Sequence, residues 1–356
     1  MKKILVINPF GIGDVLFTTP VVSALKSEWP DSSICYWCNE RVKDLLRGNP
    51  AITEIFGLSR GDIKRISDQS RLRGVQAFLR LAKNLKKEKF DIAFDFSLDH
   101  RYSLVCKLLG VRQRIGFDYK RRGRFLTEKM MLEGYSGKHV VEFYLDLLKK
   151  IHVQPRRKNL ELFVSSEDRQ RCRDILAPYE VSAHDTLIGM AVGAGASWGK
   201  DAGLKHWMPE RFAELGDRLL SHYTCRIILL GDGSERHIAD TVGSAMAHPV
   251  IDLVGKTSIR EVMGIMSQLG CLITNDGGPL HMAVALNINT VSIFGPVDEK
   301  VYGPYPPSSK HIVVTSDSSC RPCYSNFRMA PCRRQRQCIQ TIGVDRVYAS
   351  VQALLQ

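Results

Sequence analysis

The stretch Cys271-Leu272-Ile273-Thr274-Asn275-Asp276-Gly277-Gly278-Pro279-Leu280-His281 limits what this chain can fold into more than any other. A β-branched apolar run stops at polar residues and two glycines, and a proline suited to a first helical turn opens the apolar segment Leu280 to Leu286. The pattern predicts a strand, a tight turn and a helix. Glycines let a ligand approach backbone amides, and the unpaired N–H groups of a helix start favour an anion such as a phosphate. Asp276 and His281 add an acceptor and a donor beside that position, and both are also compatible with plain capping and first-turn packing.

The same grammar recurs along the chain. Lys3 to Ile7 runs into Asn8-Pro9-Phe10-Gly11-Ile12-Gly13-Asp14 and then a helical pattern from Val15 to Ser27. Further strand patterns lie at Ser33–Tyr36, Ile52–Gly57, Ile92–Phe96 and Arg114–Phe117, with helical patterns at Arg41–Leu46, Val75–Lys89, Ser103–Leu109 and Val140–Ile151. In the second half, Thr186–Val192, Arg226–Leu230, Val250–Val254 and Thr290–Phe294 each end in a small or glycine-rich turn. This alternation predicts parallel sheets with crossover helices, which bind ligands at the carboxyl edge. At 356 residues the chain fits two such domains. Two nucleotide motifs fail on inspection. The third glycine of G-x-G-x-x-G would fall on Leu16, and Gly255-Lys256-Thr257 lacks the earlier P-loop glycine, because position 250 is Val250. An acid, Asp14, is left at the carboxyl edge of the first sheet, where it either serves chemistry or caps a helix.

Charge separates the halves. Residues 1 to 158 hold 31 Lys and Arg against 17 Asp and Glu, or +14, whereas residues 159 to 356 hold 19 against 20, or −1. Basic residues crowd Arg71–Lys89 and Arg112–Lys129. Such a bias suggests an anionic partner: nucleic acid, an acidic glycan or an anionic membrane surface. No apolar run approaches the roughly 18 residues of a membrane span. The run Ile4–Ile7 is stopped by Asn8-Pro9 and is too short for a signal peptide, so a cytoplasmic protein is expected.

Of ten cysteines, Cys35, Cys38, Cys106, Cys172, Cys225 and Cys271 sit in apolar runs and read as core residues. Cys320, Cys323, Cys332 and Cys338 have the spacing C-x2-C-x8-C-x5-C, which suits a structural zinc as well as reduced thiols or disulfides. No carboxylate pair or D-x-D sequence suited to a metal-diphosphate clamp is present.

Three motifs in order carry a resemblance: Gly11 through Pro20, Lys205-His206-Trp207 followed by Glu210-Arg211-Phe212, and Asp276-Gly277-Gly278-Pro279-Leu280-His281. Together they resemble glycosyltransferase family 9, the lipopolysaccharide heptosyltransferases, nearly end to end. Asp95 through Arg101 and Arg114 through Asp118 also resemble the acceptor domain of that family.

The resemblance implies an α/β GT-B fold of two facing Rossmann-like domains with a cleft between them. It divides the chain into an acceptor-binding domain over 1–165, a linker over 166–185, a nucleotide-sugar domain over 186–341, and a C-terminal helix over 342–356 packing back on the first domain. It implies inverting transfer of L-glycero-D-manno-heptose from ADP-heptose to Kdo- or heptose-bearing lipid A in the lipopolysaccharide inner core. Asp14 would be the general base, with no cofactor required. Donor contacts would come from Ser197, Lys205, Glu235, Thr257, Asp276, Gly277, Gly278 and His281. Acceptor contacts would come from Gly13, Thr18, Arg101, Arg121, Arg122 and Arg124, with Arg71, Arg73 and Arg80 behind them. Gly277 stands where many members carry Thr or Ser. The enzyme would work at the cytoplasmic face of the inner membrane, in peripheral contact with its anionic surface and without nucleic acid. An alternative keeps the fold and changes the donor or acceptor sugar, and a more distant one is a non-enzymatic nucleic-acid or membrane-surface binding protein.

Overall fold

The computed structural model describes residues 1–182 and 184–355, and for 196–198 and 200 the backbone alone. The chain divides into two compact units, Met1–Phe163 and Val164–Gln356.

Unit 1 is built from β1 (Lys3–Ile7), α1 (Ile12–Phe17), α2 (Thr19–Glu28), β2 (Ser33–Cys38), β3 (Glu54–Gly57), α3 (Arg60–Gln69), α4 (Arg71–Glu88), β4 (Ile92–Asp95), α5 (His100–Leu108), β5 (Gln113–Tyr119), β6 (Glu128–Leu132) and α6 (Val140–Asp146). All six strands are parallel, in the order β3-β2-β1-β4-β5-β6, with Ile4 opposite both Ile34 and Ile92. The central strands are buried on both faces, which is why β1 reads as a continuous apolar run and not as an alternating one. The helical segment expected over Val15–Ser27 is two helices broken at Thr18, because Pro20 has no N–H to continue a helix and sits where a new one starts.

Unit 2 comprises α7 (Ser166–Leu176), β7 (Thr186–Ala191), α8 (Pro209–His222), β8 (Cys225–Leu230), α9 (Arg236–Ala245), β9 (Ile251–Asp252), α10 (Ile259–Met266), β10 (Cys271–Asn275), α11 (Gly278–Ala285), β11 (Asn289–Phe294), α12 (Glu299–Tyr302), β12 (His311–Thr315), the hairpin β13 (Tyr324–Ser325) and β14 (Arg328–Met329), α13 (Gln337–Gln340) and α14 (Val344–Leu355). Its parallel sheet runs β12-β11-β10-β7-β8-β9. Each unit therefore shows one reversal of strand order, between β1 and β4 and between β7 and β10, and open sheets of this kind bind ligands outside the carboxyl ends at that point.

Two segments at the expected boundaries fall within unit 2. The segment read as a linker over 166–185 opens with α7, a capped helix of unit 2: Asp168 closes a capping box with Ser165 and accepts from Arg260 Nε on α10 at 3.0 Å. The C-terminal helix α14 places Val344, Val347, Tyr348 and Val351 in the core of unit 2 with Ile273 and Val291. No helix among the described residues is long and apolar enough to cross a membrane.

Candidate functional site

In unit 2 the loops after β7 and β10 meet at the strand-order reversal. A Cβ on Gly277 would lie 3.0 Å from the Ala194 carbonyl oxygen, so the glycine allows a close approach of two backbones. Asn275, fully buried, fixes this junction: its Nδ2 donates to the carbonyls of Val192 (2.9 Å) and Gly193 (3.0 Å), and its Oδ1 accepts from the Trp207 amide at 2.9 Å. Trp207 is itself held, with Nε1 donating to Ile342 O at 2.9 Å and its ring edge-on to Phe212. These bonds carry Lys205, two residues before Trp207, to Asp276. Its Nζ lies 2.7 Å from Asp276 Oδ2, and the two residues are only 1% and 4% exposed. Burying two charges costs several kcal/mol per ion, roughly repaid by their attraction, so such a pair is weak evidence for stability and better evidence for a site.

The neighbouring loops add polar groups. Glu235 accepts from the Gly195 amide (2.9 Å) and the Asp232 amide (3.1 Å), and burial raises its carboxyl above the usual range against the pull of those N–H groups. Glycines at 193 and 231 leave it room: a Cβ on Gly193 would fall 1.7 Å from its Oε1. Thr257, beside Gly255, has a buried Oγ1 without a hydrogen-bond partner. The buried Nε2 of His206 also has none, and burial, aided by the charges of Arg336, His237 and Lys205, pushes its imidazole down to about 4. His281 is buried in the first turns of α11.

In unit 1 the corresponding reversal lies beside Asp14, in the first turn of α1. Asn8 is fully buried; its Nδ2 donates to Asp14 O (2.8 Å) and its Oδ1 accepts from the Phe10 amide (3.2 Å), which fixes the turn that presents Asp14. The half-buried Asp14 raises the phenols of Tyr36 and Tyr144 electrostatically, after the larger effect of their burial. A crevice of about 470 Å³ opens at this carboxyl edge, with Arg41, Arg60, Lys64 and Arg65 on its wall beside Asp62 and Asp99. Asp99, after β4, takes both Arg60 Nη1 and Arg101 Nη1 at 3.3 Å. The turn after β5 exposes Arg121, Arg122 and Arg124 and is framed by Asp118, which binds the Gly123 amide at 2.9 Å and Lys129 Nζ at 2.8 Å.

Comparison with known proteins decides the class. The family model described as glycosyltransferase family 9 (heptosyltransferase) matches residues 78–332, more than half of the chain. The chain belongs to glycosyltransferase family 9. It is 24% identical over 353 residues to lipopolysaccharide heptosyltransferase 3 of Escherichia coli, covering 96% of each chain. Among solved structures it is similar to the glycosyl transferase family 9 protein of Veillonella parvula (TM-score 0.85, 23% identity, 99% of this chain and 97% of that one). It is also similar to the E. coli ADP-heptose lps heptosyltransferase II (TM-score 0.78, 21% identity, 100% and 98%). The expected GT-B fold and glycosyltransferase activity are thereby established.

Within this family 9 chain the expected donor residues Lys205, Glu235, Thr257, Asp276, Gly277, Gly278 and His281 all lie on loops or helix starts at the carboxyl edge of the unit 2 sheet. The Ser197 side chain lies outside the described residues. In unit 1, Gly13, Arg101, Arg121, Arg122 and Arg124 lie at or beyond the carboxyl ends of β1, β4 and β5. Thr18 does not fit the acceptor role: it is fully buried, and its Oγ1 bonds Val15 O at 2.6 Å and the Tyr36 hydroxyl at 2.5 Å. It holds the break between α1 and α2. Arg71, Arg73 and Arg80 lie along exposed α4.

Sequence reasoning missed His206 as a site residue, although it stands inside the Lys-His-Trp motif, and missed Arg41, Arg60, Lys64 and Arg65, which only folding brings to one crevice. The C-terminal thiols share a neighbourhood. Cys323 Sγ donates to Cys320 O (2.9 Å), the Arg336 amide donates to Cys332 Sγ (3.2 Å), and burial, aided by the other three thiols, pushes Cys338 up to about 11. Among the described residues, though, the only three or more donor groups lying within 4.8 Å of one another are Cys35, Glu54 and Glu88. Glu88 there pairs with Lys3 Nζ at 3.3 Å, and Cys35 is the core residue its sequence suggested.

Proposed function

We propose that this glycosyltransferase moves L-glycero-D-manno-heptose from ADP-heptose to the inner core of lipopolysaccharide, with the donor held by unit 2 and the acceptor by unit 1. The observation that carries the donor half is the buried Lys205–Asp276 pair at the strand-order reversal of unit 2, next to a glycine turn and the N-terminus of α11. The amides of that turn and the Lys205 ammonium would meet the diphosphate, and the helix start would add a partial positive charge. Thr257 Oγ1 offers an unused hydroxyl to the nucleotide. Glu235 already serves two backbone amides, and its remaining lone pairs would accept the ribose hydroxyls.

In the proposed step, the Asp14 carboxylate takes the proton from the acceptor hydroxyl as its oxygen attacks the anomeric carbon of the heptose. The bond from that carbon to the diphosphate breaks on the opposite face, so configuration inverts and ADP leaves with the electron pair. A positioned base contributes about 10²- to 10⁴-fold. No metal enters this step. A zinc at Cys320, Cys323, Cys332 and Cys338 would be structural and outside the chemistry. The basic crevice of unit 1 and Arg101, Arg121, Arg122 and Arg124 suit an acceptor dense in carboxylates and phosphates and displayed at the cytoplasmic membrane face.

The test is a transfer assay pairing ADP-heptose, and separately other nucleotide sugars, with Kdo- and heptose-bearing lipid A. Turnover with ADP-heptose alone supports the reading. Turnover with a different nucleotide sugar in its place would move the chain to another specificity within the same fold.

A further inference from the structure

Helix α4 presents a face that nothing in unit 1 covers. Its inner side carries Leu81 and Leu85, which join the core beneath the sheet with Leu5, Ile7 and Phe90, and Gly74, where a Cβ would meet Ser67 Oγ of α3 at 1.9 Å. On the outer side Leu72, Val75 and Leu79 are 77%, 57% and 59% exposed. The described residues expose seven large apolar side chains, and three of them fall in these two turns. Singly exposed apolar residues need no explanation, but a cluster does.

The positions of the charges indicate what covers it. At 3.6 residues per turn the three apolar side chains fall within a sector of about 60°, opposite Gly74, Leu81 and Leu85. Lys86 continues the same sector along the helix, Lys83 borders it, and Arg73, Arg80 and Lys87 line one side of it, all exposed. Glu88 at the C-terminal end is the helix's single acid, and it pairs with Lys3. A second copy of the chain docking here would set this basic face against itself. An apolar stripe bordered by cations instead matches the boundary of an anionic bilayer, where alkyl groups enter the headgroup region and ammonium and guanidinium groups snorkel to phosphates.

We propose that the outward face of α4 is a docking surface for an anionic lipid bilayer, with Leu72, Val75 and Leu79 inserted at the headgroup boundary and Arg80, Lys83 and Lys86 engaging lipid phosphates. The helix lies along the surface over about 27 Å and does not enter the hydrocarbon. This goes beyond the transfer reading and does not depend on which sugar is moved.

The experiment is co-sedimentation of the full chain with phosphatidylcholine vesicles, with and without phosphatidylglycerol. Wild type should partition to the vesicles containing phosphatidylglycerol, and less so as salt rises. Replacing Leu72, Val75 and Leu79 together by Gln should lower partitioning by about tenfold or more, and Arg80→Gln/Lys83→Gln/Lys86→Gln by about tenfold. Thermal unfolding of each variant, followed by circular dichroism, should match wild type, so a folding failure of unit 1 shows itself there. Leu79→Trp supplies a positive signal: on anionic vesicles the introduced indole should shift to the blue and be quenched by brominated acyl chains. Unchanged partitioning of the triple Gln variant, or an indole that stays unquenched on bound protein, would overturn the proposal. So would a dimer that the triple Gln variant dissociates while vesicle binding persists. Loss of sugar transfer with intact vesicle binding would count against the functional reading alone.

Discussion

The two six-stranded sheets share one strand order, yet the charges at their reversals are handled in opposite ways. In unit 2 the charges are internal: Lys205 and Asp276 neutralise each other out of water, and Asn275 and Trp207 hold them in place. In unit 1 the cations stand in solvent, with Arg60, Arg101, Arg121, Arg122 and Arg124 exposed around Asp99 and Asp118. A buried, fixed pair is preorganised for one small ligand of constant shape and is little affected by salt. An exposed basic rim is screened beyond about 10 Å at 0.1 M salt and tolerates a larger, variable polyanion. The difference teaches that a common scaffold says where ligands go, while the solvation of its charges says what kind of ligand each half receives.

Four experiments would break or sharpen that contrast. The largest effect is expected from Asp14→Ala, which should lower kcat by about 10²- to 10⁴-fold, read in the transfer assay. A variant keeping more than about a tenth of wild-type turnover would make Asp14 a structural cap. Next, Lys205→Ala should strand the Asp276 carboxylate and cost about 3–5 kcal/mol in denaturant unfolding. Joint replacement by Met at 205 and Leu at 276 should return most of that stability without returning nucleotide affinity, which separates the fold's need for the pair from the ligand's.

A smaller effect is expected in unit 1. Neutralising Arg121, Arg122 and Arg124 together should raise the acceptor KM by up to about tenfold at low salt and flatten its salt dependence, because each exposed pair is worth at most about 1 kcal/mol. An unchanged KM would return this cluster to the solvated surface. The smallest effect concerns pH. His206 titrates near 4 in the folded chain, against about 6.5 when unfolded, so the native state binds fewer protons in that window. Its contribution to stability is present above about pH 6.5 and is lost as pH falls toward 4. His206→Gln should therefore lose less thermal stability than wild type between about pH 7 and pH 4.5.

Much of this was legible in the residues. The strands β1, β4, β7, β8, β10 and β11 are buried on both faces and so announce themselves as unbroken apolar runs, whereas β6, with Lys129 and exposed Met131, carries no such signal and went unread. Lys205, Asp276 and Glu235 were visible as motif residues, but their pairing was not, since 71 positions separate Lys205 from Asp276 and only the crossover topology joins them. Thr18 was misread for the same reason: its partner Tyr36 lies on a strand that sequence spacing does not place beside α1. The basic crevice was hidden because its cations come from two separate segments, Arg41 from the helical turn after β2 and Arg60, Lys64 and Arg65 from α3 after β3.

The most direct test of the division of labour is calorimetric titration of ADP into wild type, Asp14→Ala and Lys205→Ala under one set of conditions. The expected result is that Asp14→Ala binds ADP as wild type does while Lys205→Ala loses most of its affinity. Equal ADP affinity in wild type and Lys205→Ala, or a loss confined to Asp14→Ala, would contradict the assignment of the donor to the buried pair of unit 2.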